Sequence, residues 1–266
     1  VGAAVGAIVV GRLHEADLRV GEEAGEARQE VGLGEREAIK DVSRVLARYV
    51  DIVAVRTYGQ VIVEEYAHYS NIPVINALTN EEHPCQALAD LLTLKEKAGS
   101  LKGMSLAFIG DGNNVAASLV LTATALGMDV RMASPRRYSL PEYVISESSA
   151  RAGASGGKLT LVHDPVEAVQ GAQAVYTDVW TSMGQERESE RRRIDFAGYQ
   201  LNRELMDHAA PGAFVMHDLP AHRGDEITDE MMESPASIIF DQAENRVWAQ
   251  AAVVAFLLGV HGEVDG

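Results

Sequence analysis

The stretch MSLAFIGDGNNVAASLVLTATALG, residues 104–127, decides the fold of this chain. It opens with the apolar run MSLAFIG, which has the length and composition of a strand buried on both faces. It closes with AASLVLTATALG, which is long and apolar enough to form a buried helix. Glycine and asparagine between the two, in GDGNN, indicate a tight turn. A strand, a turn and a helix in this order form the repeating unit of a parallel α/β sheet.

Similar units lie on both sides of this stretch. Apolar residues recur at helical spacing after Glu37, and a later helix opens at Pro84 and closes at Gly99, connecting two halves of the chain. The predicted strands are residues 51–56, 72–77, 104–110, 129–133, 159–162, 174–178 and 213–217. Predicted helices are residues 61–69, 84–99, 116–127 and 245–260, with helical or loop segments at 141–152, 166–170 and 202–208. The pattern predicts an α/β architecture of two doubly wound parallel-sheet domains joined by helices, with a ligand cleft at the carboxyl ends of the strands.

The first 13 residues, VGAAVGAIVVGRL, predict a buried strand or helix. They include neither an initiator methionine nor the basic segment that leads a secretory signal. The apolar run is also too short to span a bilayer. We expect that the natural beginning of the chain is missing, and a processed start is an alternative of equal weight.

Composition excludes several classes of partner. The chain has 39 acidic and 23 basic residues, and its formal net charge of -16 repels nucleic acid and anionic membrane surfaces. The single cysteine, Cys85, excludes an internal disulfide framework and a cysteine-based zinc site. A reducing compartment fits this composition, and we expect a cytoplasmic protein.

The glycine-rich turn FIGDGNNV, residues 108–115, superficially resembles a dinucleotide-binding fingerprint. Val115 stands where the third glycine belongs, and the next strand ends without an acid to hold a ribose, so a nicotinamide-dependent dehydrogenase is the weakest candidate. Asn113 and Asn114 instead offer donors and acceptors suited to the carboxylate or amine of an amino acid. An ordinary helix cap is the competing interpretation, stronger for Asn113 than for Asn114.

The segment EEHPCQALADL, residues 81–91, places His83 and Gln86 on one side of a first helical turn. There an imidazole and an amide can hold a small planar carbonyl compound. Taken alone, His83 is equally well explained as a cap. Arg56, at the end of a predicted strand, and Arg246 are cations suited to a phosphate, although each alone is more often part of a structural ion pair.

The segment TDVWTSMGQE, residues 177–186, places an acid at a strand end, followed by a loop. Asp178 is positioned to receive an ammonium group, and Gly184 allows the loop to move as a lid. A plain surface turn is the alternative, but Trp180 and Met183 are large apolar residues that such a turn rarely carries. A second strand end carries His217 and Asp218, in HDLPAHRGDEIT, and resembles an acid/base pair.

The motifs HPCQ, GDGNN, DVWTSMGQE, HDLP and FDQAENR, in this order and at these separations, resemble the ornithine carbamoyltransferase family from about Gly34 to Val260. The resemblance implies transfer of the carbamoyl group of carbamoyl phosphate to the δ-amine of L-ornithine, giving L-citrulline and phosphate. It also implies that no metal or organic cofactor is needed, and that the protein forms a homotrimer or a multiple of trimers. The domains it implies are a carbamoyl-phosphate domain at residues 1–82, to which a helix at 241–262 returns, and an ornithine domain at 83–240.

Site residues follow from the same resemblance, position by position. The residues implied to hold carbamoyl phosphate are Arg56, His83, Gln86 and Arg246. The residues implied to hold ornithine are Asn114, Asp178, Ser182 and Met183. His83 and Arg246 are implied to act in catalysis, because a polarised carbonyl and a neutralised phosphate both lower the barrier to carbamoyl transfer.

Two departures from the family pattern bear on activity. A Ser-Thr-Arg-Thr-Arg run that binds phosphate in the family does not occur in the 266 residues, so residues 1–31 are not aligned and the first domain is expected to be truncated. Asp218 stands in HDLP where the family has a cysteine that aligns the attacking amine, so it is not implied to form a catalytic pair with His217. Since a carboxyl has a reference pKa of about 3.9 and a thiol about 8.5, we expect an ionised Asp218 unless burial prevents it.

These departures leave alternatives open. An ionised Asp218 would favour the non-nucleophilic ammonium form of the substrate and leave little activity. The chain would then be a catalytically silent relative that binds an amino acid or assembles with a complete partner chain. A decayed remnant is a third interpretation, and putrescine or an acylated ornithine remains an alternative to ornithine as the acceptor.

Overall fold

The computed structural model describes residues 7–11, of which only the backbone is considered, together with residues 37–182 and 185–260. The described residues up to Cys85, with those from Ala249 onward, belong to one compact unit, and Gln86–Trp248 forms a second. Within the described ranges, no helix combines the length and apolar character needed to cross a bilayer.

The first unit is built on a three-stranded sheet in the order β1-β2-β3. Its elements are β1 (Ala7–Gly11), α1 (Ile39–Leu46), β2 (Ile52–Arg56), α2 (Gln60–Tyr69) and β3 (Val74–Leu78). Strands β2 and β3 are parallel, as expected for a strand, helix and strand unit, whereas β1 pairs with β2 in the antiparallel sense. The segment predicted as a strand or helix is therefore a strand, and the sheet of this unit is mixed rather than purely parallel.

A small core covers one side of this sheet. Its buried residues are Ile39, Val42, Val53, Val55, Val63 and Tyr66. The Ser43 hydroxyl donates to the carbonyl of Tyr66 at 2.9 Å and so ties α1 to α2. The helical spacing of apolar residues after Glu37 thus places α1 correctly, although the helix ends at Leu46 and one of these apolar residues, Val45, is exposed.

The second unit is built on a five-stranded parallel sheet in the order β6-β5-β4-β7-β8. Its strands are β4 (Ser105–Ile109), β5 (Asp129–Ala133), β6 (Lys158–Val162), β7 (Ala174–Thr177) and β8 (Phe214–Met216). Its helices are α4 (Asn114–Ala125), α5 (Glu142–Ser155), α6 (Pro165–Val169), α7 (Ser189–Asp195), α8 (Arg203–Met206) and α9 (Asp229–Met232), together with α3 (Pro84–Ala98) from Gln86 onward and α10 (Ile239–Leu257) up to Trp248. Two 3-10 turns lie at Arg136–Tyr138 and Glu186–Glu188. This is the predicted doubly wound arrangement.

The chain direction across this sheet reverses at β4. From β4 the chain moves outward through β5 and β6, then returns to the other side of β4 with β7 and β8. All five residues of β4 are buried, with one hydrophobic cluster on each face of the sheet. In a sheet of this kind the loops after β4 and β7 diverge and leave a crevice, where ligands typically bind.

The largest boundary error lies in the last helix. It begins at Ile239, six residues before the predicted start at Asn245. The first turns contain Gln242 and Asn245, both buried, at positions where a helical apolar pattern would require hydrophobic residues. The hydrophobic periodicity therefore fails in the part of the helix where hydrogen-bonded polar side chains replace apolar ones.

Gly112 sets the width of the turn after β4. A Cβ atom at this position would lie 2.5 Å from the backbone nitrogen of Leu140 and 2.5 Å from the carbonyl carbon of Ser139. The Gly112 N–H donates to the carbonyl of Tyr138 at 2.7 Å, which holds the two segments together. No other residue fits here without moving backbone atoms.

We expect Gly112→Ala to lower the free energy of unfolding by about 1–3 kcal/mol, because the added methyl group must displace the backbone at 139–140. Gly153→Ala is the matched control, since Gly153 lies in α5 and a Cβ atom added there would have no neighbouring atom within 4 Å. That change should raise stability by roughly 0.5–1 kcal/mol through helix propensity. Urea unfolding of both variants measures the difference, and equal effects would contradict the close approach.

Candidate functional site

Three segments end at the carboxyl edge of the second sheet, where its order reverses. The turn Gly110–Asn113 follows β4, Asp178 follows β7, and the HDLP segment follows β8. The strands deliver their polar groups to one place because parallel strands end at the same edge. This edge of the second unit is therefore the place where a sheet of this kind is expected to bind a small polar ligand.

Asn113 both caps α4 and reaches the acid after β7. Its Oδ1 accepts from the backbone N–H of Ala116 at 3.0 Å, and its Nδ2 donates to Asp178 Oδ2 at 2.6 Å. Asn114 uses its Oδ1 to accept from the N–H of Val115 at 3.0 Å. The capping interpretation thus describes Asn113, but that residue also orients Asp178, a role that the sequence does not reveal.

Asp178 is 5% exposed and has donors on both oxygen atoms. The second oxygen, Oδ1, accepts from the N–H of Val179 at 2.6 Å. Two donors at short distance hold the carboxylate in a fixed orientation. The ammonium receptor predicted at Asp178 is therefore buried and pre-oriented.

The HDLP segment is shaped by hydrogen bonds to His217, which is fully buried. The N–H of Leu219 donates to His217 Nδ1 at 2.9 Å, so Nδ1 is an acceptor and Nε2 carries the proton. Nε2 then donates to Glu226 Oε1 at 3.1 Å. Leu219 has φ 62°, an uncommon value for a residue with a side chain, which turns its N–H back toward the imidazole.

Asp218 differs from its expected ionisation. Burial raises the pKa of the Asp218 carboxyl well above its usual value, and the negative charge of Asp178 raises it further. Its side chain is 10% exposed. Burial was the condition set on an ionised Asp218, and both burial and the acidic neighbours of this group favour its neutral form.

Asp178, His217 and Asp218 lie close enough together to be tested as a metal site, with one ligand atom of each within 4.8 Å of the others. The imidazole does not fit this role. Both of its nitrogen atoms are engaged, by Leu219 and by Glu226, and metal binding at Nδ1 would break the first of these hydrogen bonds. The group is better described as a buried acid pair beside a fixed histidine.

A second polar group links α3 to α10 inside the second unit. Asp90 Oδ1 accepts from Gln86 Nε2 and from Gln242 Nε2, both at 2.7 Å. Gln86 Oε1 in turn accepts from Arg246 Nη1. Gln242 Oε1 accepts from the backbone N–H of His217 at 3.1 Å, so the group extends to the start of the HDLP segment.

This group fixes the residues implied to bind carbamoyl phosphate. Gln86 is 1% exposed, and its amide has one orientation because Nε2 must donate to Asp90 and Oε1 must accept from Arg246. Burial raises the pKa of Asp90 to about 7, against the lowering effect of its hydrogen bonds with Gln86 and Gln242. Gln86 and Arg246 are brought together in the structure, as the resemblance implies.

The loop after Asp178 is anchored by a buried ion pair. Arg192 Nη1 donates to Asp111 Oδ2 at 2.6 Å and to the carbonyl of Trp180 at 2.8 Å. Ser182 follows in this loop, where its N–H donates to Gln185 Oε1 at 3.1 Å. Met183 and Gly184, named as an ornithine contact and as a lid hinge, lie outside the described residues.

The first unit carries the other two predicted site residues. Arg56 is exposed at the end of β2, and His83 is 5% exposed just before α3 begins at Pro84. Arg56 thus lies at the carboxyl-terminal end of a strand and His83 directly before the start of a helix, as the sequence predicts. Their roles in binding stay predictions.

Sequence reasoning did not single out several buried polar residues near the candidate site. They are Asp90, Tyr176, Glu226 and Gln242. The i, i+4 spacing of Gln86 and Asp90 places two polar side chains on one face of α3. Since a polar pair on an otherwise apolar helix face is normally hydrogen-bonded when buried, this spacing was the available signal for Asp90.

Comparison with known families identifies the class of protein. The family description "Aspartate/ornithine carbamoyltransferase, carbamoyl-P binding domain" matches residues 14–96, and "Aspartate/ornithine carbamoyltransferase, Asp/Orn binding domain" matches residues 102–257. The chain therefore belongs to the aspartate/ornithine carbamoyltransferase family. The match begins well before Gly34, the expected start of the resemblance, so part of residues 1–31 is aligned after all.

The ornithine branch of the family supplies the relatives. The chain is 53% identical over 227 residues to ornithine carbamoyltransferase of Gloeobacter violaceus, covering 85% of this chain and 72% of the relative. It is 51% identical over 231 residues to that of Pyrococcus abyssi, covering 87% and 73%. The solved ornithine carbamoyltransferase of Pyrococcus furiosus superposes with a TM-score of 0.85 at 49% identity, covering 88% of this chain and 75% of the other.

Asp90→Asn tests the buried carboxyl between α3 and α10. A raised folded-state pKa favours folding at low pH, and this advantage is lost as the pH rises from about 4 to the folded pKa of about 7. The amide retains Oδ1 as an acceptor and never ionises. Its stability relative to the unmodified chain should therefore increase by on the order of 3 kcal/mol between pH 4 and pH 8.

Denaturant unfolding across that pH range gives the measurement. Asp241→Asn is the matched control, since Asp241 also connects α10 to α3, through its ion pair with Lys97, but is half exposed. That variant should follow the unmodified chain at every pH. Parallel curves for Asp90→Asn as well would show that Asp90 is ionised in the folded protein throughout.

Arg192→Met should lower the free energy of unfolding by about 3 kcal/mol or more, because it leaves the Asp111 carboxylate buried without its cation. Arg193→Met, one residue on, removes an exposed arginine that pairs with Asp225, and should change stability by less than about 1 kcal/mol. Thermal or urea unfolding distinguishes the two. Similar losses would mean that the Arg192–Asp111 pair has no special weight.

Proposed function

We propose that the chain is an ornithine carbamoyltransferase, transferring the carbamoyl group of carbamoyl phosphate to the δ-amine of L-ornithine to give L-citrulline and phosphate. The family membership and the names of its relatives support the activity. The structural observation that supports this activity is that the second unit contains two groups of polar side chains held in fixed orientations. Gln86 is held on Arg246 by Asp90, and Asp178 is held by Asn113.

The first of these sites supplies anion binding. Arg246 donates to Gln86, and its planar guanidinium group has the shape and charge that bind a phosphate or a carbamoyl oxygen. We assign Arg56 and His83 to the same substrate: an arginine offsets phosphate charge, and the imidazole donates to the carbonyl oxygen as negative charge develops there.

The second site supplies amino-acid binding. We assign the α-ammonium of ornithine to Asp178 and its carboxylate to the amide of Asn114, with Ser182 and Met183 as further contacts. With both substrates held, the neutral δ-amine attacks the carbamoyl carbon and a C–N bond forms. The C–O bond to phosphate breaks with its electron pair leaving on phosphate, and the proton lost by the amine ends on the departing phosphate. Positioning supplies most of the rate in such a transfer.

Assembly and location complete the proposal. We propose a homotrimer or a multiple of trimers acting in the cytoplasm, with no metal or organic cofactor taking part. Light scattering of the purified chain reports the mass of the assembly. The domain roles are proposed as residues 1–82, with a returning helix at 241–262, for carbamoyl phosphate, and residues 83–240 for ornithine.

A silent relative that binds an amino acid or joins a complete partner chain is the second candidate. The feature that favours it is an asymmetry in the sequence: the ornithine positions match the family, while the Ser-Thr-Arg-Thr-Arg run does not occur in the 266 residues. Such a protein would bind ornithine and form no citrulline.

Calorimetric titration with ornithine and with carbamoyl phosphate, beside a citrulline assay, separates the two candidates. Binding of both substrates with steady citrulline formation supports the transferase. Ornithine binding without product supports the silent relative, and the absence of binding to either substrate contradicts both.

Asp178→Asn should weaken ornithine binding by about tenfold or more, because a charge-assisted hydrogen bond to the ammonium becomes a neutral one. Carbamoyl phosphate binding should be unchanged. Glu167→Gln is the matched control: it also removes one acidic charge, but from an exposed position in α6. Equal effects of the two variants on ornithine binding would remove Asp178 from the site.

A further inference from the structure

We propose that Asp178 and Asp218 form a carboxyl pair that shares one proton, and that the pair takes up the ammonium group of the amino-acid substrate by releasing this proton to solvent. Asp218 thereby becomes a specificity-determining residue. The inference rests on the proposed function, since it assigns the ammonium of that substrate to the pair.

The geometry places the two carboxyl groups side by side. They follow neighbouring parallel strands, β7 and β8, and so end at the same edge of the sheet. The side chain of Asp218 is nine-tenths buried, and Asp178 is buried as well. One side-chain atom of each of Asp178, His217 and Asp218 lies within 4.8 Å of those of the other two.

The hydrogen bonds of this pair require a proton. Asp218 Oδ1 is buried and, as a carboxylate, has no donor among the described residues. One oxygen atom of Asp218 lies within 4.8 Å of one of Asp178, and two carboxylates offer only acceptors to each other. The contact therefore forms when one of the two groups is a carboxylic acid, and Asp178 is the carboxylate because Asn113 and Val179 already donate to it.

The other groups that face Asp218 do not replace the proton. Asp90 on α3 adds a further acidic group, and Tyr176 on β7 lies among these acids with its own pKa raised well above the usual value by burial and by their charges. His217 lies 3.5 Å away through Nδ1, which accepts from Leu219 and therefore carries no proton to give. Glu226 holds the far side of that imidazole.

The cations of this region are engaged elsewhere. Arg192 is paired with Asp111 at 2.6 Å, and Arg246 acts on Asp90 and Gln86. Burial and the Asp178 charge raise the pKa of Asp218, in agreement with a pair that keeps one proton at neutral pH. The pair therefore lacks a positively charged partner among the described groups.

An ammonium group meets this requirement. It offers three donors to the four oxygen atoms, and its charge offsets the second carboxylate once the proton leaves. The exchange is balanced: the protonated pair and the ammonium ligand give a doubly ionised pair with bound ammonium and one free proton. The apparent affinity should then rise with pH, by up to about tenfold for each pH unit, over the range in which the unliganded pair keeps its proton.

The proton released can be counted with L-norvaline, the analogue of ornithine that has the α-ammonium but no δ-amine. Because this probe has no second amine, a released proton comes from the protein. Titration calorimetry at pH 6.5 in two buffers of different ionisation enthalpy should give about one proton released per norvaline bound. Asp218→Asn, which keeps the shape and cannot ionise, should release none, and its affinity should not change with pH.

Asp218→Cys serves as a second variant should the asparagine fail to fold, and it also should release no proton, since one carboxylate remains. Infrared spectroscopy of the unliganded chain at neutral pH should show a protonated carboxyl band that Asp218→Asn removes. Absence of that band, or norvaline binding without proton release, would overturn the proposed carboxyl pair. If ornithine still bound and citrulline still formed, the proposed function would stand. Failure to bind either amino acid, with the band present, overturns the ammonium assignment together with the proposed function.

Discussion

The arrangement of the second unit depends on one oxygen atom, Asp90 Oδ1. It accepts from two glutamine side chains on different helices, Gln86 on α3 and Gln242 on α10, at 2.7 Å each. Gln242 continues to the backbone of His217, and Gln86 continues to Arg246. Because a buried amide has only one orientation that satisfies both neighbours, this carboxyl sets the direction of the anion-binding residues and the start of the HDLP segment together.

Asp90 is also one of three acidic residues that gather in this part of the second unit. Asp90, Asp178 and Asp218 lie near one another around Tyr176, and their charges reinforce each other's effect on the pKa of the buried groups. Such a cluster is unfavourable in an empty, fully ionised state. Its presence indicates a site that is completed by protons or by a cationic ligand.

Most of the fold could be predicted from the sequence, because the spacing of hydrophobic residues indicates where the strands and helices lie. The strands β2, β5 and β7 and the helix α2 lie within one or two residues of their predicted bounds. The start of α10 could not be predicted, because it depends on buried polar contacts. The antiparallel pairing of β1 could not be predicted either, because a single strand does not encode its pairing. The positions of Asp178 and Gln86 followed from motifs, whereas Asp90 appears only once α3 and α10 are packed together. Asp218 shows the limit most clearly: its residue type indicates a charge, whereas its burial raises the pKa of its carboxyl and favours the neutral form.

The contact of Gly112 with the backbone of residues 139–140 has a consequence for how this molecule could change. The turn that presents Asn113 to the ligand edge rests directly on a peptide bond 27 residues later in the chain, with no side chain between to absorb a shift. An insertion or deletion in the short segment after β5, although remote in sequence from every ligand-facing residue, would be transmitted rigidly to Asn113 and from there to Asp178. The loop between β5 and α5 therefore helps to fix the position of the turn after β4, and its length is as constrained as that of the turn it supports.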